Sequence, residues 1–287
     1  MNISIIYHSA DFDGFTSAYI LKDYHKEDNV KLYGHNYGLS TEWVNEIKNQ
    51  DIVYLADISF NKSHSEIIQL SKSNEKIIYI DHHKSAIEEY TELFKTLDNS
   101  IMFCEVGKAA CRLCFEYLYP NTELPLIYEY LSDYDVFNIK DNWNSEVMPF
   151  QYGLQSLCKT FEEFSYRLDS IRYDESLYID DIIYKGLSIL DFLYIQNEKI
   201  LNNYFIHYLY GYKVVCVNNP INSSLVFKSN KEECDIHCVY HYNGNTKSYH
   251  YSLYSNKVDV SEIAISLGGG GHKCASGFES KGNIFKI

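Results

Sequence analysis

Asp81-His82-His83 stands directly behind the apolar run Lys76-Ile77-Ile78-Tyr79-Ile80, and two other acidic clusters are placed the same way. His8, Asp11 and Asp13 follow the run from Ile3 to Tyr7, and Asp57 follows Asp51-Ile52-Val53-Tyr54-Leu55. Short Ile-, Val- and Tyr-rich runs, each succeeded by a helix-like segment, predict parallel strands with helical crossovers. In such sheets the ligand crevice lies at the carboxyl ends of the strands, so Asp11, Asp13, Asp57 and Asp81 would meet His8, His82 and His83 at one edge. Carboxylates that close repel one another, and divalent cations are the usual remedy. The pattern therefore predicts a site for two metal ions. Mixed imidazole and carboxylate ligation suits manganese, iron, cobalt or zinc better than calcium. Read singly, the residues are less telling: Asp13 could cap the following helix with Asp11 solvated, and Asp57 could be a turn residue. Their recurrence at equivalent strand ends favours ligation.

The elements that must position these groups alternate along the first ninety or so residues. Gly14 to Lys26 reads as an amphipathic helix, Lys31 to Gly38 as a second strand, and Thr41 to Lys48 as a helix that Ser40 could cap. Strands are expected over Asp51–Ile58 and Lys76–Ile80, with a helix over Ser63–Ser71 between them. A helix follows over 105–118, then a less regular helical region over 123–170, then a long helix from about Glu175 to Tyr208. Strands over Tyr212–Val217, Cys234–Tyr242 and Lys247–Tyr254 and a helix over Asp259–Leu267 precede Gly268-Gly269-Gly270-Gly271. The expected architecture is α/β. A parallel-sheet N-terminal domain with flanking helices (1–172) is joined by a long helical connector (173–210) to a smaller α/β C-terminal domain (211–287).

The 287 residues carry a formal net charge of −14 and no Lys/Arg-rich tract. Proteins that hold long nucleic acid need a basic surface, so extended duplexes are not expected partners. A short phosphorylated substrate remains compatible, because bound metals reverse the field locally. No apolar stretch approaches the roughly 20 residues that span a bilayer, and no signal peptide is visible, so no membrane association is expected. Eight scattered cysteines suit reduced thiols, and with them a cytoplasmic protein, better than a disulfide framework. Most of the 28 tyrosines are assigned to the core, although some could stack on bases. Two cysteine patterns are set aside. Cys234-x-x-His237-Cys238-x-x-His241 has zinc-like spacing, but in an alternating strand Cys238 takes the opposite face from His237 and His241. Cys111-x-x-Cys114 is one helical turn and reads as core packing.

His8-x-x-Asp11-x-Asp13-Gly14, Asp57, Asp81-His82-His83 and Gly269-Gly270-Gly271-His272 together resemble the ordered signature motifs of the DHH phosphoesterase family with its associated C-terminal domain. The resemblance covers nearly the whole chain. The wording around Asn36-Tyr37-Gly38, Asp57-Ile58-Ser59-Phe60 and Asp81-His82-His83-Lys84-Ser85 is most similar to the oligoribonuclease (nano-RNase) branch. The resemblance implies two metal ions, usually Mn2+, with His8, Asp11 and Asp57 on one and Asp13, Asp57 and His82 on the other. A fourth motif, Leu131-Ser132-Asp133-Tyr134-Asp135-Val136-Phe137, would add an acidic ligand, Asp135 with Asp133 as the alternative. His83 would face the substrate phosphate and Asp81 would orient a ligand from behind. Two cations ~3.5–4 Å apart would present a bridging hydroxide in line with phosphorus. Gly269, Gly270, Gly271, His272 and Lys273 would grip the terminal nucleotide from a glycine-rich turn, an arrangement that makes anion nests. Where many relatives carry arginine, this chain has Ser252-Leu253-Tyr254-Ser255. Tyr254 could stack on a base or donate one hydrogen bond, but it cannot form a bidentate ion pair.

The expected function is a cytosolic phosphodiesterase that cuts short single-stranded oligonucleotides to mononucleotides, with its active site in a cleft between the domains. Hydrolysis of a cyclic dinucleotide or of a 3′,5′-bisphosphate nucleotide is the nearest alternative, and a nucleotide-sequestering module is the alternative of another class. A homodimer is compatible with the sequence, which leaves the oligomeric state open.

Overall fold

The computed structural model describes residues 1–60, 63–171, 175–221 and 224–285, with the side chains of 175 and 176 excepted. The parts of the expected segments that fall on 61, 62, 172–174, 222, 223, 286 and 287 lie outside the described residues. The chain divides into two compact units, Met1–Ser188 and Ile189–Ile287.

In the first unit the apolar runs become β1 (Asn2–His8), β2 (Asn29–His35), β3 (Ile52–Ala56), β4 (Ile77–Asp81) and β5 (Ser100–Cys104). All five pair in parallel in the order β2-β1-β3-β4-β5. Crossover helices α1 (Phe12–Tyr24), α2 (Ser65–Ser73) and α3 (Lys84–Phe94) connect them, and α4 (Ala110–Leu118), α5 (Leu126–Asp135), α6 (Met148–Leu157) and α7 (Phe161–Ile171) follow, then α8 (Glu175–Leu201), whose residues from Ile189 on belong to the second unit. The central strands β3 and β4 are buried nearly throughout, as a sheet covered on both faces requires. One face packs Ile6, Leu55, Ile67, Leu70, Tyr79 and Tyr90 into a single cluster.

Several sequence expectations change. The strand β5 has no alternation to betray it, since all five of its residues are half-buried at the sheet edge. The helix α1 is buried continuously from Phe12 to Leu21, with no solvent face, because helices as well as the sheet surround it. The expected helix over Thr41–Lys48 is a short 3₁₀ turn, Glu42–Glu46, although Ser40 Oγ does accept from the Glu42 N–H at 3.3 Å. The helix expected from 105 begins only at Ala110, behind Gly107 at φ 92°, a left-handed conformation that no helix accommodates.

In the second unit, β6 (Phe205–Leu209), β7 (Tyr212–Asn218), β8 (Ile236–Asn243), β9 (Ser248–Tyr254), β10 (Gly270–His272) and β11 (Ala275–Ser280) form a mixed sheet in the order β10-β11-β9-β8-β7-β6, with α9 (Val260–Ser266) packed on it. The long helix stops at Leu201 rather than Tyr208, since Phe205–Leu209 alternates with a period of two and closes a hairpin onto β7. Tyr210 and Gly211 make that turn with both φ angles positive, the type I′ geometry that matches strand twist. Cys238 lies in the core with Cys216, while His237 stacks on Phe227 at 4.5 Å. The glycine-rich segment is not a turn. Gly268, at φ 84°, ends α9 in a Schellman motif, with Gly269 N–H donating to Ala264 O at 2.8 Å and Gly268 N–H to Ile265 O at 3.0 Å. Gly270–His272 then pairs antiparallel with Ala275–Gly277 as an edge strand.

Gly14 sets how closely α1 approaches β1. A Cβ there would sit 2.0 Å from the His8 carbonyl oxygen, whereas one at Gly244 would meet nothing within 4 Å. Gly14→Ala is expected to destabilise the protein by about 1–3 kcal/mol through forced backbone displacement, and Gly244→Ala to stay within about 0.5 kcal/mol of the parent. Thermal melts of the two variants check this.

Candidate metal centre

Because β1, β3 and β4 are adjacent and parallel, their carboxyl ends deliver His8, Asp57 and Asp81-His82-His83 to one edge. Asp57 follows β3 at φ 60°, a left-handed conformation that Asp tolerates better than most residues. Its own N–H stays in register, donating to Ile80 O at 3.0 Å. The backbone thus turns out of the strand at the residue whose carboxylate must face the edge.

His82 is the hub. Its Nε2 lies 3.6 Å from Asp13 Oδ2, 3.5 Å from Asp57 Oδ1 and 3.4 Å from Asp135 Oδ2. Asp135 is the last residue of α5, so a helix terminus completes what the strands begin. Asp133, two residues earlier in α5, is engaged elsewhere: it pairs with Lys140 Nζ at 2.7 Å and accepts from Asn138 Nδ2 at 2.8 Å. His8 Nε2 lies 3.4 Å from Asp11 Oδ2. Asp11, not Asp13, caps α1, accepting from the Gly14 N–H at 3.0 Å.

Asp13 is held by something the sequence reading did not anticipate. The N–H groups of Ala110 and Cys111 donate to its two carboxylate oxygens at 2.8 and 2.7 Å. A helix N-terminus is a ready anion site, and α4 carries Ala109 at its N-cap, with no side chain to satisfy those amides. The missing cap residue was the available signal.

Asp81 is saturated with donors. Its Oδ1 accepts from the N–H groups of His82 and His83 at 2.6 and 3.0 Å and from His83 Nδ1 at 2.8 Å, while the buried Tyr79 hydroxyl donates to Oδ2. Burial alone would raise the Asp81 pKa, but the bond and charge of His83 and the Tyr79 hydroxyl outweigh it and hold the carboxyl below its ordinary value. His83 is opposed by burial yet raised overall by Asp81. Asp57 behaves oppositely. Burial first, then the charges of Asp13, Asp11 and Asp135, push it well above its ordinary value. Asp135 is raised well above for the same reasons, burial leading. Burial keeps His82 low despite the carboxylates around it.

The donor set fits divalent cations. Asp57 Oδ1, Asp135 Oδ2 and His8 Nδ1 are buried with no hydrogen-bond partner, a costly state for polar atoms unless an ion takes them. Two groups could each hold an ion, Asp57 with Asp81, His82 and His83, and Asp13 with His82 and Asp135, the atoms within each lying no more than 4.8 Å apart. They share His82. The His8–Asp11 pair joins neither group at that spacing.

Tyr37 was noticed in the sequence only as part of a motif. Its ring lies 5.3 Å from that of His8, and its hydroxyl interacts with the hydroxyl and backbone N–H of Ser59, two residues beyond Asp57. Burial of the hydroxyl, then the charge of Asp81, raise its pKa. A cavity of about 300 Å³ lined by Ile20, Phe115, Ile127, Tyr128, Leu168 and Ile171 shares no residue with the metal-ligating cluster. The residues Gly269, Gly270, Gly271, His272, Lys273 and Tyr254 belong to the second unit. There a Cβ at Gly269 would fall 2.0 Å from Gly277 O, and one at Gly271 2.7 Å from Ser276 Cα, so both glycines are required by strand packing.

A parallel five-stranded sheet with carboxylates and imidazoles crowded at its carboxyl edge, followed by a mixed-sheet unit, defines a DHH-type architecture. Residues 2–139 match the DHH family, N-terminal domain. An uncharacterized protein of Acanthamoeba polyphaga mimivirus is 28% identical over 308 residues, covering 97% of this chain and 67% of that protein. The fold is similar to that of the pGpG-specific phosphodiesterase PggH from Vibrio cholerae, with a TM-score of 0.55 and 13% identity over 98% of this chain and 93% of that one. It is also similar to RecJ in complex with Mn2+ from Thermus thermophilus, with a TM-score of 0.50 and 14% identity over 97% of this chain and 49% of that one.

The raised Asp57 carboxyl makes stability depend on pH. A group that binds its proton more tightly when folded contributes stability that is complete below its unfolded pKa, near 3.9, and is lost as the pH rises through the folded value. Asparagine keeps the left-handed backbone and removes the charge. In metal-free protein, Asp57→Asn is therefore expected to stabilise the fold at pH 8, by roughly 1–3 kcal/mol of relieved burial, and progressively less toward pH 4. Melts of both proteins across that range, with chelator, check the sign.

Proposed function

We propose that this protein is a two-metal phosphodiesterase of the nano-RNase type, cutting short single-stranded oligonucleotides to mononucleotides. The observation that carries the reading is the convergence of Asp13, Asp57 and Asp135 on His82 Nε2, with carboxylate oxygens of Asp57 and Asp135 buried and unpartnered. In this reading His8, Asp11 and Asp57 hold one ion and Asp13, Asp57, His82 and Asp135 the other. Asp135 is preferred to Asp133 because Lys140 already neutralises Asp133. Mn2+ suits the mixed imidazole and carboxylate donors, and the likeness to a Mn2+-bound RecJ supports that choice. When bound, the ions supply Lewis-acid stabilisation and an activated water at neutral pH.

The chain's own groups do the rest. The Asp81 carboxylate fixes His83 Nδ1–H toward itself, which turns Nε2 outward to donate to a phosphoryl oxygen. Raised proton affinity keeps His83 suited to that role. The α4 amides hold Asp13 in one orientation, so that it need not reorganise as a ligand. Gly269, Gly270, Gly271, His272, Lys273 and Tyr254 of the second unit take the nucleotide end of the substrate. The net charge of −14 favours short substrates over long ones, and likeness to a phosphodiesterase specific for pGpG supports a linear dinucleotide. Eight free cysteines fit the cytoplasm, and no helix among the described residues is long and apolar enough to cross a membrane.

Purified protein with Mn2+ should release mononucleotides from a labelled dinucleotide and from a five-residue oligonucleotide. A cyclic dinucleotide and a nucleoside 3′,5′-bisphosphate should react more slowly. Loss of a ligand that serves both ions removes several kcal/mol of transition-state stabilisation, so Asp57→Asn should lower kcat by about 10³-fold or more. Binding without product would convert the reading to sequestration, and cleavage of the cyclic substrate alone would replace the substrate class.

A further inference from the structure

Tyr37 occupies a position that ligation of metal ions does not explain. Asn36 to Leu39 form a turn closed by the Leu39 N–H donating to Asn36 O at 3.3 Å, with Gly38 at φ 81°. That is the type II geometry, in which the third residue must be left-handed and the second stands at the corner. Tyr37 is the corner residue, and the Asn36 side chain accepts from its N–H at 2.8 Å. At its far end the Tyr37 hydroxyl meets Ser59, in the loop that follows β3. The ring thus spans from the loop after β2 to the loop after β3, across the carboxyl end of β1 where His8 lies. The closed turn fixes its backbone and the His8 ring lies beside it, yet 41% of the residue is exposed.

An aromatic ring anchored in this way is preorganised: little freedom remains to be lost when something packs on it. The group it offers to a ligand is the ring face. An uncharged π-surface is also a contact for substrate that adds no repulsion beside Asp57 and Asp81. Ring faces of this kind take nucleobases, and do so with little regard to sequence.

We propose that Tyr37 is a specificity-determining substrate contact, its exposed ring face stacking on the nucleobase carried by the phosphodiester at the metal centre. This inference rests on the two-metal phosphodiesterase reading and narrows it: the site selects esters that bear a base over alkyl phosphodiesters and inorganic polyphosphate.

The test uses the full chain with Mn2+, a linear dinucleotide and its abasic analogues, and the variants Tyr37→Phe and Tyr37→Ala. In the parent, a base should improve kcat/KM, mainly through KM. Tyr37→Ala should erase about 5- to 150-fold of that advantage, the equivalent of ~1–3 kcal/mol per stacked base, and Tyr37→Phe should keep most of it. Equal losses on base-bearing and abasic substrates, or a Phe variant as impaired as Ala, would overturn the proposal and make Tyr37 a strut for Ser59 and His8. A binding arm separates this result from failure of the hydrolytic reading. Titrations of a nucleoside 5′-monophosphate against ribose 5-phosphate should show a preference for the base that Tyr37→Ala abolishes, whether or not turnover is seen. Absence of that preference in the parent would sink the inference.

Discussion

Negative charge confined at the carboxyl edge of three adjacent parallel strands is the constraint on which this molecule is built. Asp13, Asp57 and Asp81 are all buried, and Asp135 closes on the same imidazole. Like charges at low dielectric repel too strongly to be left alone. The fold answers part of that charge with its own groups: the amides of α4 on Asp13, and the His83 ring and Tyr79 hydroxyl on Asp81. What it leaves unanswered, at Asp57 and Asp135, is the part an external cation can complete.

Asp57 and Asp81 show how position converts one residue type into two. They stand at the ends of neighbouring strands, Asp81 as the last residue of β4 and Asp57 just after β3, and are almost equally buried, yet one is raised and the other lowered in proton affinity. The difference lies in donors. Asp81 is ringed by N–H and O–H groups that favour the ionised form, whereas Asp57 Oδ1 has no hydrogen-bond donor and the charges of Asp13, Asp11 and Asp135 press on it. A carboxylate whose lone pairs are already used is suited to orienting a neighbour, and one whose lone pairs are free is suited to ligation. The roles proposed for the two residues follow that division.

The second unit uses its glycines first for packing. Gly269 and Gly271 permit β10 to lie close against β11, and Gly268 terminates α9. The result is a sheet edge rather than a loop, which offers backbone groups in a regular array. His272, Lys273 and Cys274 are exposed around the tip of that hairpin, a placement compatible with contact to a ligand.

Short apolar runs, each ended by acids or histidines, were enough to read the parallel sheet and the edge where those residues gather, since hydrophobic runs are a local property of sequence. Binary patterning could not distinguish β5 from a loop, or follow the change of period at Phe205, because an edge strand and a hairpin are defined by what pairs with them. Nor could it separate Asp133 from Asp135, which differ only in the direction each side chain takes off α5, toward Lys140 or toward His82. The anchoring of Asp13 by amides nearly a hundred positions away, and the reach of Tyr37 across β1 to Ser59, exist only once the strands are ordered in space. Sequence determined which chemistry is available; tertiary structure decided which groups are free to perform it, since a hydrogen bond or a buried charge depends on neighbours that chain order does not supply.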